Sequence, residues 1–313
     1  MTLTIGVDVG GTKIAGGLVD EDGKIVARSR VETPRRGPEA VEAAIIEVAR
    51  ELSRKRKVVA VGVGTAGLID EKRSRVLLAP NLGWSDEPLR AAVEAGIDIP
   101  VVVENDANAA AWGEYRFGGA RGSDHLVCIT VGTGIGGALV LNGQLYRGAN
   151  GVAAEFGHMT VEPNGRLCGC GNRGCWEQYA SGNALVRAAR RLAADRRNEA
   201  QVLLELGDGT PEGVEGKHVT EAAEAGDPIA LAAFDYITGW LGLGMANLTA
   251  VLDPGTITLG GGVSEAGELI LGPTRRAFLE AVSGKEYREL PLVTLARLGN
   301  DAGIVGAADL ART

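Results

Sequence analysis

The chain has 313 residues, 45% of them hydrophobic and only 4% aromatic, enough for two domains of ordinary size with cores of Ala, Val, Leu and Ile. A formal charge of −8 excludes a broad basic face for nucleic acid or a membrane surface, so any anionic ligand has to be held locally. The start runs straight into Leu3-Thr4-Ile5-Gly6-Val7-Asp8 with no basic or apolar leader pattern, and the expected compartment is the cytoplasm.

In chain order, apolar runs at Leu3–Val9, Ile14–Val19 and Lys24–Val31 are split by Gly10-Gly11-Thr12 and Asp20-Glu21-Asp22-Gly23, which predicts an antiparallel meander. Helical periodicity over Gly37–Lys57 buries Val41, Ala44, Ile45, Val48, Ala49 and Leu52, and a buried strand follows at Val58–Gly64. The charged run Arg54-Lys55-Arg56-Lys57 is a solvated helix end. A second passage leads through a helix at Pro88–Ala95 to a strand at Pro100–Val103 and a helix from Ala107 to Tyr115. Strands at His125–Val131 and Ala138–Leu141 flank a glycine turn. Helices at Asn183–Arg197, Val219–Ala225 and Pro228–Leu252 precede a strand at Thr256–Leu259, a helix near Glu268–Val282, a strand at Leu292–Ala296 and a last helix at Ala302–Ala311. The apolar stretch Ile237–Leu252 falls short of the ~20 residues needed to span a bilayer and reads as a buried helix. Two glycine-turn hairpins, near residues 10 and 133, each open a strand-rich half, which suggests two similar α/β lobes.

Several short motifs carry chemistry. Asp8-Val9-Gly10-Gly11-Thr12-Lys13 is either an ordinary hairpin turn or a phosphate cradle in which backbone N–H groups converge on an anion and Asp8 holds magnesium through water. Gly132-Thr133-Gly134-Ile135-Gly136-Gly137 and Gly62-Val63-Gly64-Thr65-Ala66-Gly67 both match the dinucleotide pattern G-x-G-x-x-G, which offers a nicotinamide-dependent dehydrogenase as a competing reading. Neither leads from a strand into a helix as that fingerprint requires, so Gly132–Gly134 is better read as a second phosphate cradle. In Glu104-Asn105-Asp106 a carboxylate stands at a strand's C-terminal end, where it either accepts a proton from a substrate hydroxyl or caps the next helix. Leu259-Gly260-Gly261-Gly262-Val263 suits a flat ligand such as adenine, or a tight turn with no ligand.

Three of the four cysteines, Cys168, Cys170 and Cys175, lie in a Gly- and Asn-rich stretch downstream of His158. Three thiols and an imidazole complete a tetrahedral zinc shell with no position open for water, the mark of a structural site. The spacing is not that of a zinc finger. Glu155 and Glu177 bracket the loop, and such acceptors suit the donor hydroxyls of a sugar. Cys128, among Leu126, Val127 and Ile129, reads as a core residue.

In order and spacing, Asp8–Lys13, Glu104-Asn105-Asp106-Ala107-Asn108, Gly132–Gly137, Glu155-Phe156-Gly157-His158, the Cys168/Cys170/Cys175 loop and Gly260-Gly261-Gly262 resemble the ROK family of sugar kinases and related repressors, most closely its bacterial glucokinases. The resemblance covers essentially the whole chain. It implies an α/β, two-lobed actin-like, ribonuclease-H-like ATPase fold with a ligand cleft between the lobes. The lobes it implies are 1–109, completed by a C-terminal helix at about 300–313, and 110–299, which carries the zinc loop and nucleotide contacts. The implied reaction moves the γ-phosphate of ATP, as its Mg2+ complex, to the 6-hydroxyl of glucose, with Asp106 as general base. Asn105, Asp106, Glu155, His158 and Glu177 would bind the sugar; Asp8, Gly10, Gly11, Thr12, Lys13, Gly132, Thr133 and Gly134 would hold the phosphates and Gly260, Gly261 and Gly262 border the adenosine. His158 would serve both zinc and sugar, one ring nitrogen each. Fructose, mannose or an N-acetylhexosamine as acceptor, polyphosphate as donor, and a non-catalytic sugar sensor remain alternatives. The family's repressors carry a DNA-binding domain ahead of this region, for which the eight residues up to Asp8 leave no room; family members are commonly dimers or tetramers.

Overall fold

A computed structural model describes residues 2–34 and 37–312. The chain is α/β and divides into two compact units, one of residues 1–126, 138–154 and 296–313, the other of 127–137 and 155–295.

The first unit opens with the expected meander, β1 (Leu3–Val9), β2 (Lys13–Val19) and β3 (Ile25–Glu32). After α1 (Gly37–Ser53), strand β4 (Val58–Thr65) joins β1 in parallel. A small antiparallel sheet of β5 (Leu68–Ile69), β6 (Val76–Ala79) and β7 (Trp84–Glu87) follows. The polar run Glu71–Ser74 hides this sheet from sequence reading, because Asp70 closes the β5–β6 turn by accepting from the N–H groups of Ser74 and Arg75. Helix α2 (Leu89–Ile97), strand β8 (Val101–Asn105) and helix α3 (Asp106–Phe117) complete the run, giving a main sheet of order β3-β2-β1-β4-β8.

A second five-stranded sheet repeats that order. It comprises β9 (Leu126–Val131), β10 (Ile135–Leu141), β11 (Gln144–Tyr146), β12 (Thr256–Gly260) and β13 (Leu292–Leu295), arranged β11-β10-β9-β12-β13. The internal similarity read from the two glycine turns is thus a repeated topology. Between β11 and β12 lie α4 (Glu177–Ala180), α5 (Gly182–Asp195), α6 (Gln201–Leu206), α7 (Gly216–Glu224) and α8 (Pro228–Leu252); α9 (Glu268–Ala281) precedes β13. Helix α8 begins where sequence placed it. Asp227 caps it by accepting from the N–H groups of Ile229 and Ala230, and Pro228 occupies a first-turn position that needs no donor. Its apolar length is core: Ala230, Ala233, Phe234 and Ile237 pack with α5, α6 and α7.

The last helix, α10 (Ala302–Leu310), returns to the first unit. Glycines let it lie backbone-to-backbone on the main sheet and on α3. A Cβ on Gly6 would fall 1.8 Å from the carbonyl oxygen of Ile304, one on Gly62 1.8 Å from that of Ala307, and one on Gly306 1.7 Å from that of Ala109. On β2, Gly17 faces Ile304 of α10 while Gly16 faces Val48 of α1, so the sheet is covered on both faces as period-2 alternation requires. The Gly62 match to a dinucleotide fingerprint is therefore explained by packing.

Candidate active site

In the first unit the parallel strands β1, β4 and β8 end in register, with Asp8 opposite Gly64 and Gly64 opposite Glu104. Open α/β sheets bind ligands at these carboxyl ends. Asp8 is the penultimate residue of β1, and the chain reverses just after Val9. Gly10 N donates to Lys13 O at 3.0 Å, while Thr33 ties the turn through Oγ1 to Gly10 O at 2.6 Å and N to Thr12 O at 3.1 Å. Neither Gly10 nor Gly11 adopts a positive φ, and a Cβ on Gly11 would meet nothing within 4 Å. The glycine at 11 thus serves neither backbone handedness nor internal packing.

Asp106 does not cap α3. The cap is Asn105, whose side chain accepts from Asn108 N at 3.1 Å and donates to Gly67 O at 3.1 Å. Asp106 takes the first helical position, its Oδ1 accepting from Ala107 N at 2.9 Å. Burial lifts its pKa above the ordinary aspartate value, against that hydrogen bond. Asp8 is pushed up to about 6 by burial and by the negative charge of Asp106, with Lys13 pulling it down. Two carboxyls at one sheet edge, each resisting ionisation, form an environment suited to a cation or a proton acceptor.

Sequence reading missed what lies beneath them. Glu104, 1% exposed, accepts from Asn105 N at 2.9 Å and Asn108 Nδ2 at 3.0 Å, and pairs with Arg147 Nε at 2.8 Å and Arg73 Nε at 3.1 Å. Arg147 is in turn held by the carbonyls of Asp70 and Glu71. This buried cluster fixes the strand end that presents Asn105 and Asp106. The three charged residues are too far apart in sequence for any local pattern to join them.

In the second unit the Gly132 turn closes with Gly132 N donating to Gly134 O at 3.0 Å. Gly182 N donates to Gly132 O at 2.8 Å, pinning the turn to the start of α5, where Ser181 is the cap. Gly261, at φ +84, lies against Val131, so the Gly260–Gly262 segment and the Gly132 turn are neighbours. A Cβ on Gly132 or Gly262 would meet nothing within 4 Å, whereas one on Gly134 would sit 2.5 Å from Glu177 Oε2. Gly157 packs as closely on Ile135 O, setting the Glu155–His158 turn against the start of β10.

The cysteine stretch is an ordered hairpin, with bridges Thr160–Cys175 and Leu167–Arg173. Cys168 and Cys175 are buried despite the surrounding glycines, while His158 and Cys170 are exposed. All four ligand atoms lie within 4.8 Å of one another; Cys168 Sγ is 3.7 Å from His158 Nδ1, and Cys170 Sγ is 3.6 Å from Cys175 Sγ. The edges of a tetrahedral thiolate–imidazole zinc shell are about 3.6–3.8 Å, from bond lengths near 2.3 and 2.0 Å. Burial pushes the Cys168 thiol up to about 12, and its hydrogen bond to Glu177 Oε1 at 3.0 Å acts in the same direction. Glu177 thus touches both the cysteine cluster and the glycine turn. Next to it, Trp176 is buried with Nε1 donating to Trp240 O at 2.7 Å, which anchors the hairpin on α8.

The sequence profile of the ROK family matches residues 4–313. A glucokinase of Streptomyces coelicolor is 52% identical over 312 residues, covering 100% of this chain and 98% of that one. A glucokinase of Thermotoga maritima is 39% identical, covering 98% and 96%. Among solved structures, a ROK family glucokinase from Streptomyces griseus in complex with glucose and AMPPNP superposes with a TM-score of 0.90 at 54% identity, covering 99% of each chain. Likeness of this extent, in sequence and in fold, leaves no part of the architecture outside it, and the chain belongs to the ROK family.

Proposed function

We propose that this protein is a glucokinase, transferring the γ-phosphate of ATP to the 6-hydroxyl of glucose. The observation that carries the reading is the pair of glycine turns. At Gly11 and Gly132 neither handedness nor packing calls for glycine, and what remains is the room a phosphate needs to approach backbone N–H groups. The full-length likeness to a glucokinase solved with glucose and AMPPNP supports the same conclusion.

In this reading Asp106 is the general base. Burial raises its pKa toward the working range of a proton acceptor, and its place in the first turn of α3 keeps the carboxylate form accessible through the helix dipole. Asn105, Glu155, His158 and Glu177 hold the sugar hydroxyls. Gly10–Lys13 and Gly132–Gly134 cradle the phosphates, and Gly260–Gly262 border the adenosine. Asp8 would hold magnesium through water; the ion supplies neutralisation of phosphate charge, and the carboxyl's burial beside Asp106 fits a cation there. Thr12 and Lys13 orient and neutralise the phosphate oxygens.

His158, Cys168, Cys170 and Cys175 would hold a structural zinc ion, on the strength of the tetrahedral edge lengths. Ligation through His158 Nδ1 leaves Nε2 for a sugar hydroxyl, and Glu177, bonded to Cys168, is oriented by the same cluster. The reducing cytoplasm, where thiols stay available to metal, is the compartment this site fits. The test of the base is Asp106→Asn, with glucose-driven ATP turnover and glucose binding measured separately. Turnover should fall at least about 100-fold with glucose affinity held within about threefold. Unchanged turnover would remove Asp106 from the chemistry.

A further inference from the structure

Where α5 meets α8, three arginines converge that enter no ion pair among the described residues. Arg166 of the cysteine hairpin and Arg187 and Arg191 of α5 line one cleft, together with Gln178 and Tyr236. Arg187 and Arg191 are four apart on the helix, where like charges repel by a few tenths of a kcal/mol. The ion pairs of this unit, Arg196–Glu199, Lys217–Glu215 and Arg288–Asp253, leave all three out. Arg187 Nη2 donates to Gln178 O at 2.6 Å, and Arg166 is held through its backbone N to Tyr179 Oη at 2.7 Å. Burial and the charge of Arg166 both lower the Arg187 pKa, the sign expected when guanidinium groups crowd one another. Glu177 acts on Arg187 as an opposing charge, but it forms no ion pair with it and accepts a hydrogen bond from Cys168.

Repulsion among the three guanidinium groups is weak where Arg166 and Arg191 are exposed, and an anion seated among them would turn it into attraction. The cleft has room, about 10 Å³, for the centre of a single water-sized group, which is the size of one oxyanion oxygen. Guanidinium forks match the edges of a tetrahedral oxyanion, and three of them suit a dianion better than a carboxylate. We propose that Arg166, Arg187 and Arg191 form a binding site for a phosphate group, one oxygen seated among the guanidinium groups and the remainder turned to solvent. It lies outside every residue assigned above to ATP, sugar or metal. The shared chemistry is a phosphate dianion, whether free inorganic phosphate or the terminal group of a phosphomonoester.

Isothermal titration of the full-length, metal-loaded protein with inorganic phosphate, and separately with glucose 6-phosphate, tests the site. Arg191→Gln is the principal variant because Arg191 is exposed and enters none of the ion pairs named above; Arg187→Gln is the second, with circular dichroism to verify folding. Wild type should bind inorganic phosphate or, as a second event beyond the active site, glucose 6-phosphate, and each variant should weaken that binding at least about tenfold, the loss of one charge-assisted hydrogen bond. Phosphate as the source requires the effect with inorganic phosphate; the ester as the source requires it with glucose 6-phosphate alone, as a second binding event lost in Arg191→Gln. Absence of both phosphate binding and a second glucose 6-phosphate event, or equal binding by wild type and Arg191→Gln, overturns the proposal.

Discussion

Replacing Glu104 with Gln separates charge from shape at the base of the candidate catalytic strand end. The glutamine oxygen still accepts from Asn105 N and Asn108 Nδ2, so the hydrogen bonds at 2.9 and 3.0 Å survive. What disappears is the negative charge facing Arg147, 10% exposed, and Arg73, 25% exposed. Arg147 cannot withdraw to water, because the carbonyls of Asp70 and Glu71 hold it at 2.9 and 3.0 Å. Breaking a buried pair by removing one partner costs about 3–5 kcal/mol, since the other charge stays buried alone. With a urea m-value of about 2–3 kcal/mol/M, the unfolding midpoint of the first unit should drop by at least ~1 M at unchanged slope. Arg147→Met should show a loss of the same order, and the double variant should lose less than the sum, the signature of direct coupling. A drop under about 0.3 M, or strict additivity, would refute the view of Glu104 as a charged keystone. Turnover belongs to the same experiment: a displacement of Asp106 by about 1 Å is enough for a 100-fold loss.

The glycines offer a contrast. Gly6→Ala drives a Cβ into Ile304 O and should lower the melting temperature by several degrees, whereas Gly132→Ala meets no atom and should leave it within about 2 °C while raising the KM for ATP at least about tenfold. Full ATP affinity in Gly132→Ala would contradict the cradle. Cys170→Ala should abolish zinc in metal analysis and weaken glucose binding more than ATP binding; equal losses would deny the hairpin a local role. Away from the site, Glu42 is pushed up to about 7 by burial, a hydrogen bond to Glu87 and the charges of Glu87 and Glu39. A carboxyl whose folded pKa is raised holds its proton longer in the folded state, so stability is lost as pH rises from about 4.5 through 7. Glu42→Gln should therefore match wild type near pH 4 and exceed it at pH 8 in unfolding midpoint, and a gap that widens toward low pH would reverse the sign.

Sequence carried the long elements and the chemistry of single motifs. Helix α8 is legible because Asp227, Pro228 and a long, mostly apolar run all act locally. The repeated sheet order is foreshadowed by the two glycine turns. The β5–β7 sheet is not legible, since its strands are short and its turn is a polar run indistinguishable from a surface loop. The cap of α3 is not legible, because Asn and Asp are equivalent cap formers and only the extended backbone at Asn105 separates it from Asp106. The cysteine cluster could be recognised by composition, but the contact from Cys168 to Glu177, and from Glu177 to Gly134, depends on tertiary packing. The same holds for Arg147 on Glu104 and for Arg166 of the cysteine hairpin meeting Arg187 and Arg191 of α5.

The most direct measurement is product identification by NMR when the purified protein is given ATP, magnesium and equal concentrations of glucose, fructose, mannose and N-acetylglucosamine, with polyphosphate replacing ATP in a parallel reaction. Glucose 6-phosphate should form first and in excess, with stoichiometric ADP and no comparable yield from polyphosphate. Preferential phosphorylation of another sugar, or of another hydroxyl of glucose, would contradict the account.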